Sequence, residues 1–146
     1  MQDYISQVFD QGGLFASRFP GYEAREGQAA LARAVDDGMR SGRHVLGEGP
    51  CGTGKSVAYA VPAIWHSHAE KKRVVIATAN IALQEQLVRK DLPMLASVLP
   101  WKFSFSLLKG RNNYLCLDRL AESEARGELH GLFDDGFTAK HHARAA

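Results

Sequence analysis

The chain has 146 residues, of which 45% are hydrophobic and 23% charged, as expected for one globular domain with a packed core. Its 18 basic and 16 acidic residues give a formal net charge of +2, which is too balanced to indicate nucleic-acid binding by itself. The two cysteines, Cys51 and Cys116, form no CxxC pair and predict neither a disulfide framework nor a zinc site. No basic-then-apolar signal pattern and no membrane-length apolar run is present, so we expect a cytoplasmic protein without membrane contact.

The predicted elements alternate between helices and strands. Residues 1–20 form a leader with helical spacing of its apolar side chains, interrupted at Gln11-Gly12-Gly13, which we interpret as a helix packed on the domain edge. An amphipathic helix is predicted over 25–41, with its stripe at Leu31, Ala34, Val35, Gly38 and Met39 and its end at Ser41-Gly42. The later elements are a strand at 44–47, a helix at 55–66 with a kink or early end near Pro62, a strand at 74–77, a helix at 81–88, a strand at 103–107 and a helix at 114–125.

This alternation predicts an α/β fold with a parallel sheet flanked by helices. The last twenty residues contain few large apolar side chains, and we expect them to be poorly ordered.

A glycine-rich loop between the first strand and the next helix carries the clearest chemical signal. It fits the pattern G-x-x-x-x-G-K-[S/T] with Gly49, Pro50, Cys51, Gly52, Thr53, Gly54, Lys55 and Ser56. Its glycines allow the backbone N–H groups to converge on an anion at the start of a helix, so the loop predicts binding of a nucleoside triphosphate. Lys55 would reach the β- and γ-phosphates, and the Ser56 hydroxyl would bind Mg²⁺.

Cys51 lies inside this loop, and two interpretations stay open. The positive local field could activate its thiol, or the residue could simply be a small side chain that fits.

Four segments, taken together, resemble the DinG/XPD family of superfamily 2 DNA helicases, on the bacterial DinG side, and the resemblance covers roughly residues 20–120. The segments are Arg25-Glu26-Gly27-Gln28, the loop region from Glu48 to Tyr59, Ala77 to Leu87, and Leu108 to Cys116. The resemblance implies a motor of two RecA-like P-loop domains that binds ATP and Mg²⁺ and moves 5′ to 3′ along single-stranded DNA. It also implies an iron–sulfur domain inserted into the first motor domain.

The resemblance assigns a role to each matching residue. Gln28 corresponds to the glutamine that reads adenine, supported by Arg25, although both could instead lie on a solvated helix face. Thr78, Asn80 and Gln84 correspond to residues that touch the DNA backbone, and Asn80 could also be a helix N-cap. Cys116 corresponds to the first of four ligands of a [4Fe–4S] cluster, although a lone cysteine is otherwise a core residue.

Parts of such a motor are missing, so we expect an incomplete first motor domain. The acidic pair Asp134-Asp135 follows only two apolar residues and is bracketed by glycines, which favours a surface turn over a Mg²⁺ site. We therefore expect a leader (1–20), the front part of a RecA-like domain (21–110), and the start of the iron–sulfur insertion with a tail (111–146).

Without the C-terminal motor domain, the chain alone should bind single-stranded DNA weakly, hold no cluster and show little turnover. The alternatives are a nucleotide-dependent binding or regulatory module without turnover, and another P-loop enzyme such as a small-molecule kinase, which would lack the Gln28 and Cys116 elements.

Overall fold

The computed structural model describes residues 3–50 and 52–127. Within these ranges the regular secondary structure is helical. The α-helices are α1 (Tyr4–Phe9), α2 (Leu14–Arg18), α3 (Glu26–Ser41), α4 (Lys55–Glu70), α5 (Ile81–Gln86), α6 (Leu92–Val98) and α7 (Leu117–Ala125), with a π-helical turn at Leu87–Asp91 and a 3-10 turn at Arg111–Asn113. The chain divides into two units, Met1–Leu107 and Leu108–Ala146.

The leader forms helices, as predicted, and its break at residues 11–13 separates α1 from α2. The Asp3 carboxylate caps α1 by accepting hydrogen bonds from the backbone N–H groups of Ile5 and Ser6. Four α1 side chains are buried in the main hydrophobic cluster: Tyr4, Ile5, Val8 and Phe9. The leader, which we expected to pack on the domain edge, therefore also supplies part of the core.

Helix α3 begins and ends close to the predicted bounds, and Gly42 closes it in the left-handed conformation at φ 65°. Its buried face differs from the predicted stripe, because Ala34 is exposed while Asp36 is buried. The residues that α3 buries are Ala29, Ala32, Asp36 and Gly38. Small side chains on this face allow α3 to lie close to its neighbours.

The buried Asp36 carboxylate joins three helices. It accepts a hydrogen bond from the Tyr4 hydroxyl of α1 at 2.6 Å and pairs with Arg40 of α3 at 2.8 Å. His66 Nε2 of α4 lies 3.2 Å from the same carboxylate. Burial, together with the hydrogen bond to Asp36, raises the pKa of Tyr4 well above its usual value, so its hydroxyl stays a donor. Because a buried charge requires such partners, this cluster fixes how α1, α3 and α4 meet.

Helix α4 corrects the prediction of an early end near Pro62, since it continues to Glu70. Pro62 lacks a backbone N–H and therefore gives up one intrahelical hydrogen bond. The turn around it is almost completely buried, with Ala60, Val61, Pro62, Ala63 and Ile64 all inside. Burial of this apolar surface offsets the lost bond.

The predicted parallel sheet is not confirmed, because no strand occurs within residues 3–50 and 52–127. The segments 44–47, 74–77 and 103–107 are irregular there. A strand exists through backbone hydrogen bonds to a partner strand, and these segments pair with none in the described part of the chain. Val45 packs on Gly38 of α3, at a spot where any larger residue would collide with it.

The predicted helix at 81–88 is longer than expected, since α5, the π-helical turn and α6 follow one another without a break to Val98. The buried Asp91 accepts a hydrogen bond from the Gln86 side chain at 3.0 Å across the π-helical turn.

In the second unit, α7 begins three residues later than the predicted helix at 114–125. The acidic pair and the tail lie outside the described residues. Among those described, no helix is both long and apolar enough for a membrane span.

Candidate nucleotide-binding site

The glycine-rich loop leads directly into α4. Gly52 and Gly54 have φ values of 79° and 77°, a region that favours glycine. Gly54 immediately precedes α4, so the unpaired N–H groups of the first helical turn lie beside the loop. This is the arrangement in which a helix N-terminus attracts an anion. Cys51 lies outside the described residues.

Lys55 and Thr53 hold the loop through backbone carbonyl oxygens. The Lys55 ammonium donates to the carbonyls of Gly49 and Pro50, both at 2.6 Å. The Thr53 hydroxyl donates to the Pro50 carbonyl at 2.9 Å. The ammonium thus lies against the loop, where a phosphate oxygen could replace a neutral carbonyl as its partner. Ser56 follows in the first turn of α4 and is partly buried.

Arg25 and Gln28 meet the loop from the start of α3. The Arg25 guanidinium donates to the Gly52 carbonyl at 2.9 Å, and the Gln28 amide donates to the Gly54 carbonyl at 3.0 Å. A Cβ atom at Gly54 would collide with the Gln28 amide. Glycine is therefore required here both for its φ angle and for the close approach of the Gln28 side chain to the backbone. Hydrogen bonds therefore bring together two segments that are distant in sequence.

Thr78, Asn80 and Gln84 lie at the start of α5. The Asn80 side chain accepts from the N–H groups of Ala82 and Leu83 at 2.8 and 3.4 Å, which confirms the N-cap interpretation. The Thr78 hydroxyl accepts from the Asn80 N–H at 3.2 Å. These side chains shape the helix start, and Gln84 follows one turn later.

Cys116 lies in the second unit at the N-cap position of α7, where its thiol is free and exposed. It is not a core residue. A [4Fe–4S] cluster needs four thiolates, and this sequence has two cysteines, so the residues present do not suit such a cluster. Within the described ranges, no three His, Cys, Asp or Glu side chains are grouped as metal ligands.

Two residues that sequence reasoning did not single out lie behind this site. Gln11 and Tyr22 fasten the segment that leads into Arg25. Gln11 appeared in the sequence only as part of a helix break beside two glycines, and no motif marks a glutamine there as a backbone clamp.

The family model for DEAD/DEAH box helicases matches residues 26–126. That match places the chain in the class of P-loop NTPases with a RecA-like fold. The chain belongs to the DEAD/DEAH box helicase family.

Three relatives illustrate this similarity. The chain is 40% identical over 123 residues to "ATP-dependent DNA helicase YoaA" of Escherichia coli, which covers 84% of this chain and 19% of the relative. It is 47% identical over 103 residues to "ATP-dependent helicase DinG" of Mycobacterium tuberculosis, covering 68% and 16%. It is 41% identical over 98 residues to "3'-5' exonuclease DinG" of Bacillus subtilis, covering 67% and 10%.

These relatives confirm the predicted resemblance to bacterial DinG proteins. The chain spans between 10% and 19% of their lengths. No solved structure matches the chain.

Proposed function

We propose that this chain is the ATP-binding portion of a DinG-like, ATP-dependent helicase that moves 5′ to 3′ on single-stranded DNA. One observation carries the proposal: Arg25 and Gln28 donate to carbonyl oxygens of the glycine-rich loop. A base-reading amide and a phosphate cradle can serve one nucleotide only if they adjoin. The names of the relatives, DNA helicase YoaA and helicase DinG, support the same function.

The side chains at the loop suit a magnesium-bound triphosphate. The Lys55 ammonium would exchange a carbonyl partner for a phosphate oxygen and form a stronger, charge-assisted bond. Gln28 has both a donor and an acceptor for adenine, and the Ser56 hydroxyl is a suitable Mg²⁺ ligand. When bound, Mg²⁺ would neutralise phosphate charge. The proposed nucleotide-binding residues are Arg25, Gln28, Gly49, Pro50, Cys51, Gly52, Thr53, Gly54, Lys55 and Ser56.

The other parts of the proposal follow the family resemblance. Thr78, Asn80 and Gln84 would contact the backbone of single-stranded DNA, since short polar side chains at a helix start suit phosphate contacts. Cys116 would be one of four cluster ligands in the complete protein, and its exposure leaves the thiol accessible. The domain would comprise a leader (1–20), a RecA-like part with a parallel sheet (21–110) and the start of the insertion (111–146), working in the cytoplasm.

Nucleotide binding tests the proposal first. Thermal melts and calorimetry of the 146-residue chain with MgATP should show binding, and ligand at 100 times its dissociation constant should add about 2.7 kcal/mol of stability. Lys55→Ala should remove most of the shift, whereas Lys90→Ala, an exposed lysine in the π-helical turn, should leave it unchanged. Absence of a shift in folded protein at millimolar MgATP would refute the nucleotide site.

Phosphate release then separates the helicase from a module without turnover. The 146-residue chain with single-stranded DNA should release phosphate more slowly than about 1 s⁻¹, because an arginine finger alone contributes about 10³–10⁵ in rate. The full-length polypeptide should exceed that rate, and its Lys55→Ala variant should not. A full-length protein that binds MgATP without DNA-stimulated release would favour the regulatory module.

A further inference from the structure

The segment that leads into Arg25 is held by the side-chain amide of Gln11, which lies just beyond α1. Gln11 Nε2 donates to the Tyr22 carbonyl at 3.2 Å, and Gln11 Oε1 accepts from the Ala24 N–H at 3.0 Å. One amide therefore bonds two backbone groups that are two residues apart, as the backbone of a neighbouring strand would. This clamp fixes both the position and the direction of the segment.

Tyr22 adds a second attachment to the same segment. Its hydroxyl donates to the Phe9 carbonyl at 2.8 Å, and its ring lies edge-on to Phe15 with centroids 5.8 Å apart. Both partners belong to the leader helices, which are themselves buried in the core. The segment thus rests on a rigid support.

The residues that follow the clamp are those that reach the glycine-rich loop. Arg25 comes directly after Ala24 and donates to Gly52, and Gln28 donates to Gly54 one turn into α3. A series of hydrogen bonds therefore runs from Gln11 through the segment to the loop. Any shift of the segment displaces Arg25 first, since one peptide bond separates it from Ala24.

We propose that Gln11 is a positioning residue for nucleotide binding, acting through the segment Tyr22–Arg25 on Arg25 and Gln28. This inference rests on the proposed function, because it requires that the loop and Gln28 bind a nucleotide. Gln11 lies in the leader, outside the family match over residues 26–126. Loss of the clamp should affect recognition of the base more than binding of the phosphates, since Gln28 follows the clamped segment whereas Lys55 bonds to Gly49 and Pro50.

Substitution of Gln11 by methionine gives the cleanest test, because methionine keeps the length and removes both hydrogen bonds. Gln11→Glu keeps the acceptor for Ala24 but places a carboxylate oxygen against the Tyr22 carbonyl. Gln7→Met is the matched control, since Gln7 is exposed on α1. Calorimetry would measure the affinity of each variant for MgATP, MgGTP and magnesium tripolyphosphate, and a thermal melt would measure its stability.

We expect Gln11→Met and Gln11→Glu to weaken MgATP binding by roughly threefold to tenfold, the effect of about one hydrogen bond. The preference for ATP over GTP should shrink, while the affinity for tripolyphosphate should change less than about twofold. Gln7→Met should match the unmodified chain. Should Gln11→Met not fold, Tyr22→Phe removes only the hydroxyl bonded to Phe9 and allows the same comparison.

The outcomes distinguish failure of the inference from failure of the proposed function. If the unmodified chain does not bind MgATP, the proposed function fails, and the inference falls with it. If the unmodified chain binds, Gln28→Ala lowers the ATP preference and Gln11→Met binds normally, only the inference is refuted. An equal loss for all three ligands together with a lower melting temperature would show a merely structural role and would also overturn it.

Discussion

Gly52 and Gly54 provide a matched pair of substitutions that isolates the contact between Gln28 and the glycine-rich loop. Both glycines have positive φ angles, 79° and 77°, so alanine at either position should cost about 1–2 kcal/mol for the left-handed conformation. Their surroundings differ: a Cβ atom at Gly52 meets nothing within 4 Å, whereas one at Gly54 meets the Gln28 amide. Gly54→Ala should therefore also break the Gln28 hydrogen bond, adding about 0.5–1.5 kcal/mol.

Urea denaturation would measure this difference in six proteins: the unmodified chain, Gly52→Ala, Gly54→Ala, and the same three with Gln28→Ala. Gly54→Ala should destabilise the chain more than Gly52→Ala, and the two should become equal within about 0.5 kcal/mol in a Gln28→Ala background. Equal losses in the unmodified background, or a difference that persists without the Gln28 side chain, would refute the assignment of this contact. Without nucleotide present, the cycle reports on the geometry of the site alone.

Three further substitutions test the packing and capping of helices. Tyr4→Phe should lower the free energy of unfolding by about 1.5–3 kcal/mol, measured in urea, because it removes a hydrogen bond to the buried Asp36 carboxylate. Asp3→Ala should cost about 1 kcal/mol at pH 7. Hydrogen bonding, mainly from the Ser6 side chain, lowers the pKa of Asp3 below 3.8 in the folded chain. The stability lost in Asp3→Ala should therefore be present above pH 3.8 and vanish as the pH falls further. Thermal melts at a series of pH values would measure this dependence. Asn80→Ala should speed amide exchange in α5 about fivefold, since the cap is worth about 1 kcal/mol and α5 buries no side chain.

The helices were largely predictable because local signals determine them. The bounds of α3 followed from apolar spacing and from Gly42, whose left-handed conformation suits the end of a helix. The burial of Asp36 was not predictable, because it depends on Tyr4 and His66, which reach it from other helices. The predicted early end at Pro62 was wrong for a similar reason. The sequence shows that proline loses a helical hydrogen bond, but it does not show the burial of the surrounding turn that offsets this loss.

The candidate site was predictable where a motif joins chemistry to spacing. The order of the loop residues predicts a phosphate cradle, and the resemblance to the family singled out Arg25 and Gln28, which the structure places against the loop. The support behind them was not predictable, because the clamp formed by Gln11 uses an exposed polar side chain whose partners are backbone groups. Backbone partners leave no pattern of residue types in the sequence.

The apolar segments that were predicted as strands have no regular secondary structure, and several of their side chains are exposed. Leu46, Val75 and Leu108 are 101%, 87% and 84% exposed, which is unusual for large apolar residues that lie in or beside runs predicted as strands. A β-branched run such as 74–77 has the composition of a strand covered on both faces, and such a strand needs neighbours on both edges. Family membership supplies the reason to expect them, because a RecA-like domain is built around a parallel sheet, and the chain spans at most 19% of the three relatives compared. Within residues 3–50 and 52–127 these segments stay unpaired, while α3 and α4 pack against each other.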